Sequence, residues 1–186
     1  MFYHGLPWPL RYFCKMVIFV AFHVSPVRCS RWLGVKMGDN VRIYGGNPNM
    51  WGTEPFLVSL GSNVFVTSGC VFLTHDGGSL ILRRAVPDLE LTAPITVGND
   101  VYFGIRCIVL PGVNIGSRVI VGAGAVVTKD IPDNSVAVGV PARVVKTVDE
   151  YLETAKTRSL HLGDLSPSEK AKSLKDTFEV KTQNRN

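Results

Sequence analysis

Long apolar runs are scarce in this chain, and so are histidine, acid and paired cysteine. The most apolar stretch, residues 12–24, is broken by Lys15 and His23. Its length is below the roughly 20 residues that a spanning helix needs. No small-residue cleavage site follows it, since Ser25-Pro26-Val27-Arg28 comes next, so an amphipathic helix is expected in preference to a signal peptide. Lys and Arg never run five in a row, and no basic stripe is interleaved with aromatics. The net charge of +5 is therefore assigned to a solvated basic surface, and nucleic acid is not expected as a partner. The four cysteines, Cys14, Cys29, Cys70 and Cys107, include no CxxC pair, so they are expected to be reduced, packed side chains of a cytoplasmic protein. His4 and His23 precede residue 35 and His161 follows residue 147, which leaves His75 alone between them. A zinc site built from several histidines is excluded there, and no metal is expected.

Glycine and proline, by contrast, are plentiful, at 18 and 11. They are spaced rather than clustered, which points to regular turning of the backbone and not to a flexible tract. The spacing has a period of six. Apolar anchors fall at Val97, Phe103, Val109, Ile115, Val121 and Val127, and four of them precede a glycine: Gly98, Gly104, Gly116 and Gly122. Four residues after the anchors come Val101, Cys107, Val113, Val119 and Ala125. The same register holds at Met37 and Ile43, with Gly38, and at Leu60, Val66 and Phe72, with Gly61.

A short strand and a turn use up six residues, so three units close a triangular coil of about 18, stacked on the next at about 4.8 Å by parallel pairing. The anchor points into a narrow core, the small or β-branched partner fills the corner, and glycine relieves the turn. The fold expected is all-β, a parallel β-helix with helices at both ends. Residues 1–34 form an apolar helical segment, 35–147 the coil, and 148–186 a helical extension. Within the extension, Ser166-Pro167-Ser168-Glu169 is a helix start, and residues 181–186 are expected to fray.

The register breaks twice. From Ile43 to Leu60 the step is one short of three units, and from Phe72 to Val97 it is one more than four. The second break holds Thr74-His75-Asp76-Gly77-Gly78 and is taken as a loop, residues 73–94, leaving the wall. Loops inserted in a rigid repeat commonly carry function.

Two motifs in the later coils are more specific: Val121-Gly122-Ala123-Gly124-Ala125-Val126-Val127-Thr128-Lys129-Asp130-Ile131-Pro132, and Val138-Gly139-Val140-Pro141-Ala142-Arg143. With Pro111-Gly112-Val113 they resemble the hexapeptide acyltransferase family, over residues 35–147. The Phe72-Leu73-Thr74-His75-Asp76-Gly77-Gly78 run, with Gly52-Thr53-Glu54-Pro55 before it, is similar to the branch that O-acetylates sugars of capsules and O-antigens. The resemblance implies that the coil is left-handed and that the protein is a homotrimer with its active sites between subunits. It implies acetyl-CoA as cosubstrate and a carbohydrate acceptor.

Residue by residue, the resemblance makes His75 the general base. An imidazole can serve so because it titrates near neutrality, and the role is worth about 10²- to 10⁴-fold. Direct attack by the acceptor is implied, so Cys70 and Cys107 are not expected as nucleophiles. Asp76 and Glu54 bind the acceptor or orient His75. Gly104 and Ile105 fall where a backbone amide meets the oxyanion; the family often has Ser at the position of Ile105, so only the backbone donor is expected here. Tyr102 lies where the family often has Trp, near the thioester. Gly122, Ala123, Thr128 and Lys129 match positions along the carrier, and Arg143 and Lys146 suit the phosphates of coenzyme A.

The function expected is acetyl transfer to a sugar hydroxyl of a surface polysaccharide or its precursor. The alternative is N-acetylation of a nucleotide-linked amino sugar, which needs less help from a base. Carbonic anhydrase chemistry on such a coil is excluded for want of histidines, and a non-catalytic trimeric scaffold is disfavoured by the intact motifs. The first segment, with Arg11, Lys15, Arg28 and Arg31, either meets a membrane surface at the inner face of the cell or packs on its own protein.

Overall fold

The computed structural model describes residues 7–183. It opens with two helices, α1 (Trp8–Val24) and α2 (Pro26–Trp32). The first pair of strands is β1 (Lys36–Met37) and β2 (Arg42–Ile43). Three triplets follow: β3 (Val58–Leu60), β4 (Val64–Val66) and β5 (Val71–Phe72); β6 (Ile95–Val97), β7 (Val101–Phe103) and β8 (Ile108–Val109); β9 (Asn114–Ile115), β10 (Val119–Val121) and β11 (Val126–Val127). Next come β12 (Ser135–Val138) and β13 (Arg143–Thr147), then α3 (Val148–Arg158) and α4 (Pro167–Gln183).

The strands are dealt in rotation to three sheets. One has the order β1-β3-β6-β9, a second holds β2, β4, β7, β10 and β12, and the third is β5-β8-β11. All these pairs are parallel, and only β13 runs antiparallel, closing the second sheet on β12. After β11 the chain returns to the first face, where Ile131 bridges Ile115. Cross-coil partners in the regular part lie 18 residues apart, as in Val101 with Val119 and Ile108 with Val126, which matches three six-residue units.

The anchors form the core. Ile43, Leu60, Val66, Phe72, Val97, Phe103, Val109, Ile115, Val121 and Val127 are all buried, as are the corner residues Val101, Cys107, Val113, Val119 and Ala125. Met37, at the open end, is half-buried. Aromatic rings run between coils: Trp51 stacks on Phe72 at 4.9 Å, and Phe72 meets Phe103 edge-on at 5.2 Å.

The glycines after the anchors have a different reason from the one expected. Their backbones are not left-handed; that conformation falls on Asn63, Asp100, Arg106 and Arg118, with φ of 57° to 58°. At Gly98 the coils touch instead. A Cβ there would lie 2.5 Å from Ser117 Oγ and 2.8 Å from the Gly116 backbone. Asparagine and aspartate tolerate the left-handed corner, and one corner carries a side-chain ladder: Asn40 Nδ2 donates to Asn63 Oδ1 at 2.8 Å, and Asn63 Nδ2 to Asp100 Oδ1 at 2.9 Å.

The two breaks in register also differ from the count made in sequence. Phe65 pairs with Arg42, 23 residues back, and with Tyr102, 37 residues on. The first insertion therefore adds 5 residues to a coil of 18, and the second adds 19. Ile43 and Leu60 are two faces apart rather than three, and Phe72 and Val97 only one. A unit count cannot tell a skipped face from a loop.

The chain divides into two compact units, with the boundary between Asp149 and Glu150. In the second, α4 begins with the expected capping box: the Ser166 N–H donates to Glu169 Oε2 at 3.0 Å, and the Glu169 N–H to Ser166 Oγ at 3.4 Å. The backbone stays helical to Gln183, past the point where fraying was expected. His4 and residues 184–186 lie outside the described residues.

Candidate active site

Both insertions build the site. The first, residues 44–57, is fixed by buried Met50 and Trp51, and the Trp51 indole N–H donates to Ser30 Oγ at 2.8 Å. Gly52 then turns with φ of 67°, where a Cβ would sit 3.0 Å from Thr74 Oγ1. Only glycine lets the chain pass so close at that φ, and the close pass delivers Thr53 and Glu54 to the second insertion.

The second insertion leaves the wall as a hairpin. His75 bridges Thr92 in antiparallel fashion, the Asp76 N–H donates to the Leu91 carbonyl at 2.8 Å, and the Ala93 N–H to the Thr74 carbonyl at 2.9 Å. The tip is tied by Arg83, whose guanidinium pairs with Glu90 at 2.5 Å and donates to the Leu89 carbonyl at 3.0 Å. His75 thus stands on a paired stem and not on a loose loop.

Where the two insertions meet, three donors converge on one carboxylate. Thr74 Oγ1 donates to Glu54 Oε2 at 2.6 Å, Thr53 Oγ1 donates to Glu54 Oε1, and His75 Nδ1 lies 3.1 Å from Glu54 Oε2. His75 Nδ1 is also 3.0 Å from Thr53 Oγ1. Burial raises the Glu54 carboxyl, but the hydrogen bonds from Thr53, Thr74 and His75, with the charge of His75, outweigh it and hold the group below its ordinary value. The ionised carboxylate can only accept, and the Thr53 hydrogen is directed at Glu54. Both partners of Nδ1 are therefore acceptors, so in the neutral ring the proton sits on Nδ1 and the lone pair on Nε2.

Asp76 takes no part in that cluster. It caps the 3₁₀ turn Gly77–Leu82, accepting from the Gly78 N–H at 2.8 Å. It does line the cavity beside His75, of about 220 Å³, together with Thr53, Glu54, Leu80, Arg83 and Glu90. Thr53, Thr74 and Arg83 had no role in the sequence reading. Thr53 and Thr74 stood inside the quoted motifs, but nothing in one sequence says that residues 53 and 75 touch.

None of the residues matched to the carrier lines this cavity. They lie along the later coils. Tyr102 faces outward from β7, paired with Ile120, and Ile105, Ala123, Thr128, Lys129 and Arg143 are exposed, with Lys146 half-buried on β13. Two assignments change in kind. The Gly104 N–H donates to the Val121 carbonyl at 2.8 Å and the Gly122 N–H to the Ala137 carbonyl at 2.8 Å. Both are spent on stacking the coils, so neither amide is left to serve a ligand, and of the two positions expected at the oxyanion only the Ile105 amide is left as a candidate. Cys70 and Cys107 are buried and bond to the Gly104 carbonyl at 3.1 and 2.8 Å. A hydrogen bond with Cys70, then burial, push the Cys107 thiol up, away from nucleophile chemistry, and Cys70, which the same bond pushes down to about 7, is buried in the core away from the cavity. Among the described residues no group of three or more metal-ligating side chains is present.

A coil of six-residue units with one pinned histidine on an inserted hairpin defines an acyl-transfer scaffold of the hexapeptide-repeat class. Comparison with known proteins agrees. The model of the hexapeptide repeat of succinyl-transferase matches residues 94–129. Protein CapG of Staphylococcus aureus is 40% identical over 121 residues, 65% of this chain and 70% of its own. Galactoside O-acetyltransferase of Escherichia coli K12 is 35% identical over 125 residues, 67% of this chain. A solved galactoside acetyltransferase in complex with coenzyme A superposes with a TM-score of 0.50 at 28% identity, over 70% of this chain and 61% of that one. The chain spans only 60% of the Escherichia coli relative's length. This chain belongs to the hexapeptide-repeat acetyltransferase family.

Proposed function

We propose that the protein is an acetyl-CoA-dependent O-acetyltransferase acting on a sugar hydroxyl of a surface polysaccharide or its precursor, with His75 as general base. The observation that carries the proposal is the pinned imidazole: Glu54 and Thr53 both accept from Nδ1, which presents Nε2 as a base. The comparisons add weight, since galactoside O-acetyltransferase of Escherichia coli K12 is a relative and a solved galactoside acetyltransferase carries coenzyme A.

In the reaction the acceptor hydroxyl enters the cavity and gives its proton to Nε2 as its oxygen attacks the thioester carbonyl. The C–O bond forms and the carbonyl electron pair moves onto oxygen, where the Ile105 amide stabilises it. Collapse breaks the C–S bond, and the imidazolium returns its proton to the departing thiolate. Glu54 stabilises the imidazolium between these steps, as a carboxylate behind a catalytic histidine does. Asp76, Arg83 and Glu90 offer polar contacts to a sugar. Tyr102, Ala123, Thr128, Lys129, Arg143 and Lys146 hold coenzyme A.

The functional unit is a homotrimer of left-handed coils in the cytoplasm. The cavity is small beside the ~300–1,000 Å³ of ordinary ligand pockets, and no carrier residue lines it. Both facts suit a site whose other wall comes from a neighbouring subunit.

The test is incubation with acetyl-CoA and a panel of glycosides, reading free thiol and product mass. Hydroxyl sugars that gain one acetyl group per thiol released support the proposal. Turnover only with amino sugars, undiminished in His75→Ala, transfers the assignment to N-acetylation.

A further inference from the structure

Helix α1 (Trp8–Val24) is inside out. A helix on a protein surface normally turns its apolar stripe inward and its polar face to water. Here only a narrow edge faces the protein: Phe22 is buried, and Cys14, Ile18 and Ala21 are half-buried. These residues share one stripe by helical spacing. The remaining arc is exposed and apolar, with Trp8, Leu10, Tyr12, Phe13, Met16, Val17, Phe19, Val20 and Val24 each 45% to 82% accessible. Trp32 at the end of α2 is 64% accessible. Contiguous patches of this kind mark a partner or a membrane.

Charge chooses between them. Residues 1–38 hold five Lys and Arg and no Asp or Glu; the first acid is Asp39. The same segment of a second copy would bring more cations and no acid to meet them. An anionic headgroup layer supplies the counter-charge that this segment lacks. Lys15 lies one turn before Phe19 on the flank of the exposed arc, where a lysine stem crosses apolar surface and its ammonium reaches the headgroups. Trp8 and Tyr12, in edge-on contact at 6.1 Å, are of the type that settles at a bilayer interface. No helix among the described residues is long and apolar enough to cross a membrane, so α1 would lie in the plane of the interface.

The seat of α1 matters for the enzyme. Phe22 packs against Met50 and Gly46 of the first insertion: a Cβ on Gly46 would lie 2.8 Å from Met50 Sδ and 3.1 Å from Phe22 Cε1. The same insertion carries Thr53 and Glu54.

We propose that α1 is an in-plane anchor for a bilayer bearing anionic headgroups, holding the first insertion and the His75 site at the membrane surface. The proposal does not depend on the chemistry at His75. It is tested by flotation of the full chain with vesicles of phosphatidylcholine containing roughly one third phosphatidylglycerol, against pure phosphatidylcholine. The protein should float with the anionic vesicles, bind the neutral ones several-fold less, and be released by about 0.5 M salt. The double variant Val17→Asp, Val20→Asp should lose at least about tenfold of the bound fraction while keeping its far-ultraviolet circular dichroism. Lys15→Glu, which adds no charge to the apolar arc itself, should narrow the preference for anionic lipid. Absence of vesicle binding by the full chain overturns the proposal, as does undiminished binding by the double variant. Vesicle-independent assembly that is larger in the full chain than in the double variant, by sedimentation velocity, assigns the face to a second copy instead.

Discussion

At the residue scale the decisive feature is the agreement of donors and acceptors around Glu54. Two hydroxyls and one imidazole N–H converge on a carboxylate that sits below its ordinary pKa. A carboxyl that ionises more readily in the folded protein stabilises the fold above the ordinary carboxylate range. That contribution is lost as pH falls through its folded value. The melting temperature of the wild type should therefore fall more steeply than that of Glu54→Gln on going from about pH 6 to about pH 3. Parallel curves contradict the network. In kinetics, Glu54→Gln should lower kcat by about 10- to 100-fold with little change in KM for acetyl-CoA. A loss confined to KM would make Glu54 a binding residue only. The family resemblance marked His75 and Glu54 as candidates, and His75 stood out further as the one histidine between residues 35 and 147. The sequence could not pair them, because 21 residues and two different insertions separate them.

At the element scale the six-residue period made the core legible, since every anchor from Ile43 to Val127 is buried. What it could not supply was the face to which each unit belongs. The insertions add 5 and 19 residues, each one away from a multiple of six, so the count slipped there. The period also misattributed its own glycines: they answer to the close approach of the next coil and not to an unusual φ. Gly98→Ala should accordingly destabilise the protein by about 1–3 kcal/mol, as overpacking does, measured by denaturant unfolding. An unchanged midpoint contradicts the contact. Further along the coil, Lys129→Ala and Lys146→Ala should each weaken coenzyme A by about 2- to 10-fold in calorimetry. Unchanged affinity removes either from the carrier wall.

At the scale of the whole molecule, none of the residues proposed to hold the carrier lines the cavity beside the pinned His75. Sedimentation equilibrium should give a mass three times that of the 20.3 kDa chain. A monomer that turns over acetyl-CoA contradicts the shared site. The expectation of a trimer came only from the family resemblance, because subunit contacts leave no period in a single chain. The apolar first segment was legible as a helix, but its outward-facing side appears only once Phe22 is seen to be the edge that packs.

The central claim is that His75 takes the acceptor proton. Its most direct measurement is acetyl transfer by His75→Ala, paired with calorimetric titration of coenzyme A. A rate reduced by about 10²-fold or more, with coenzyme A affinity unchanged, is the predicted result. Transfer at the wild-type rate, or equal loss of rate and affinity, contradicts it.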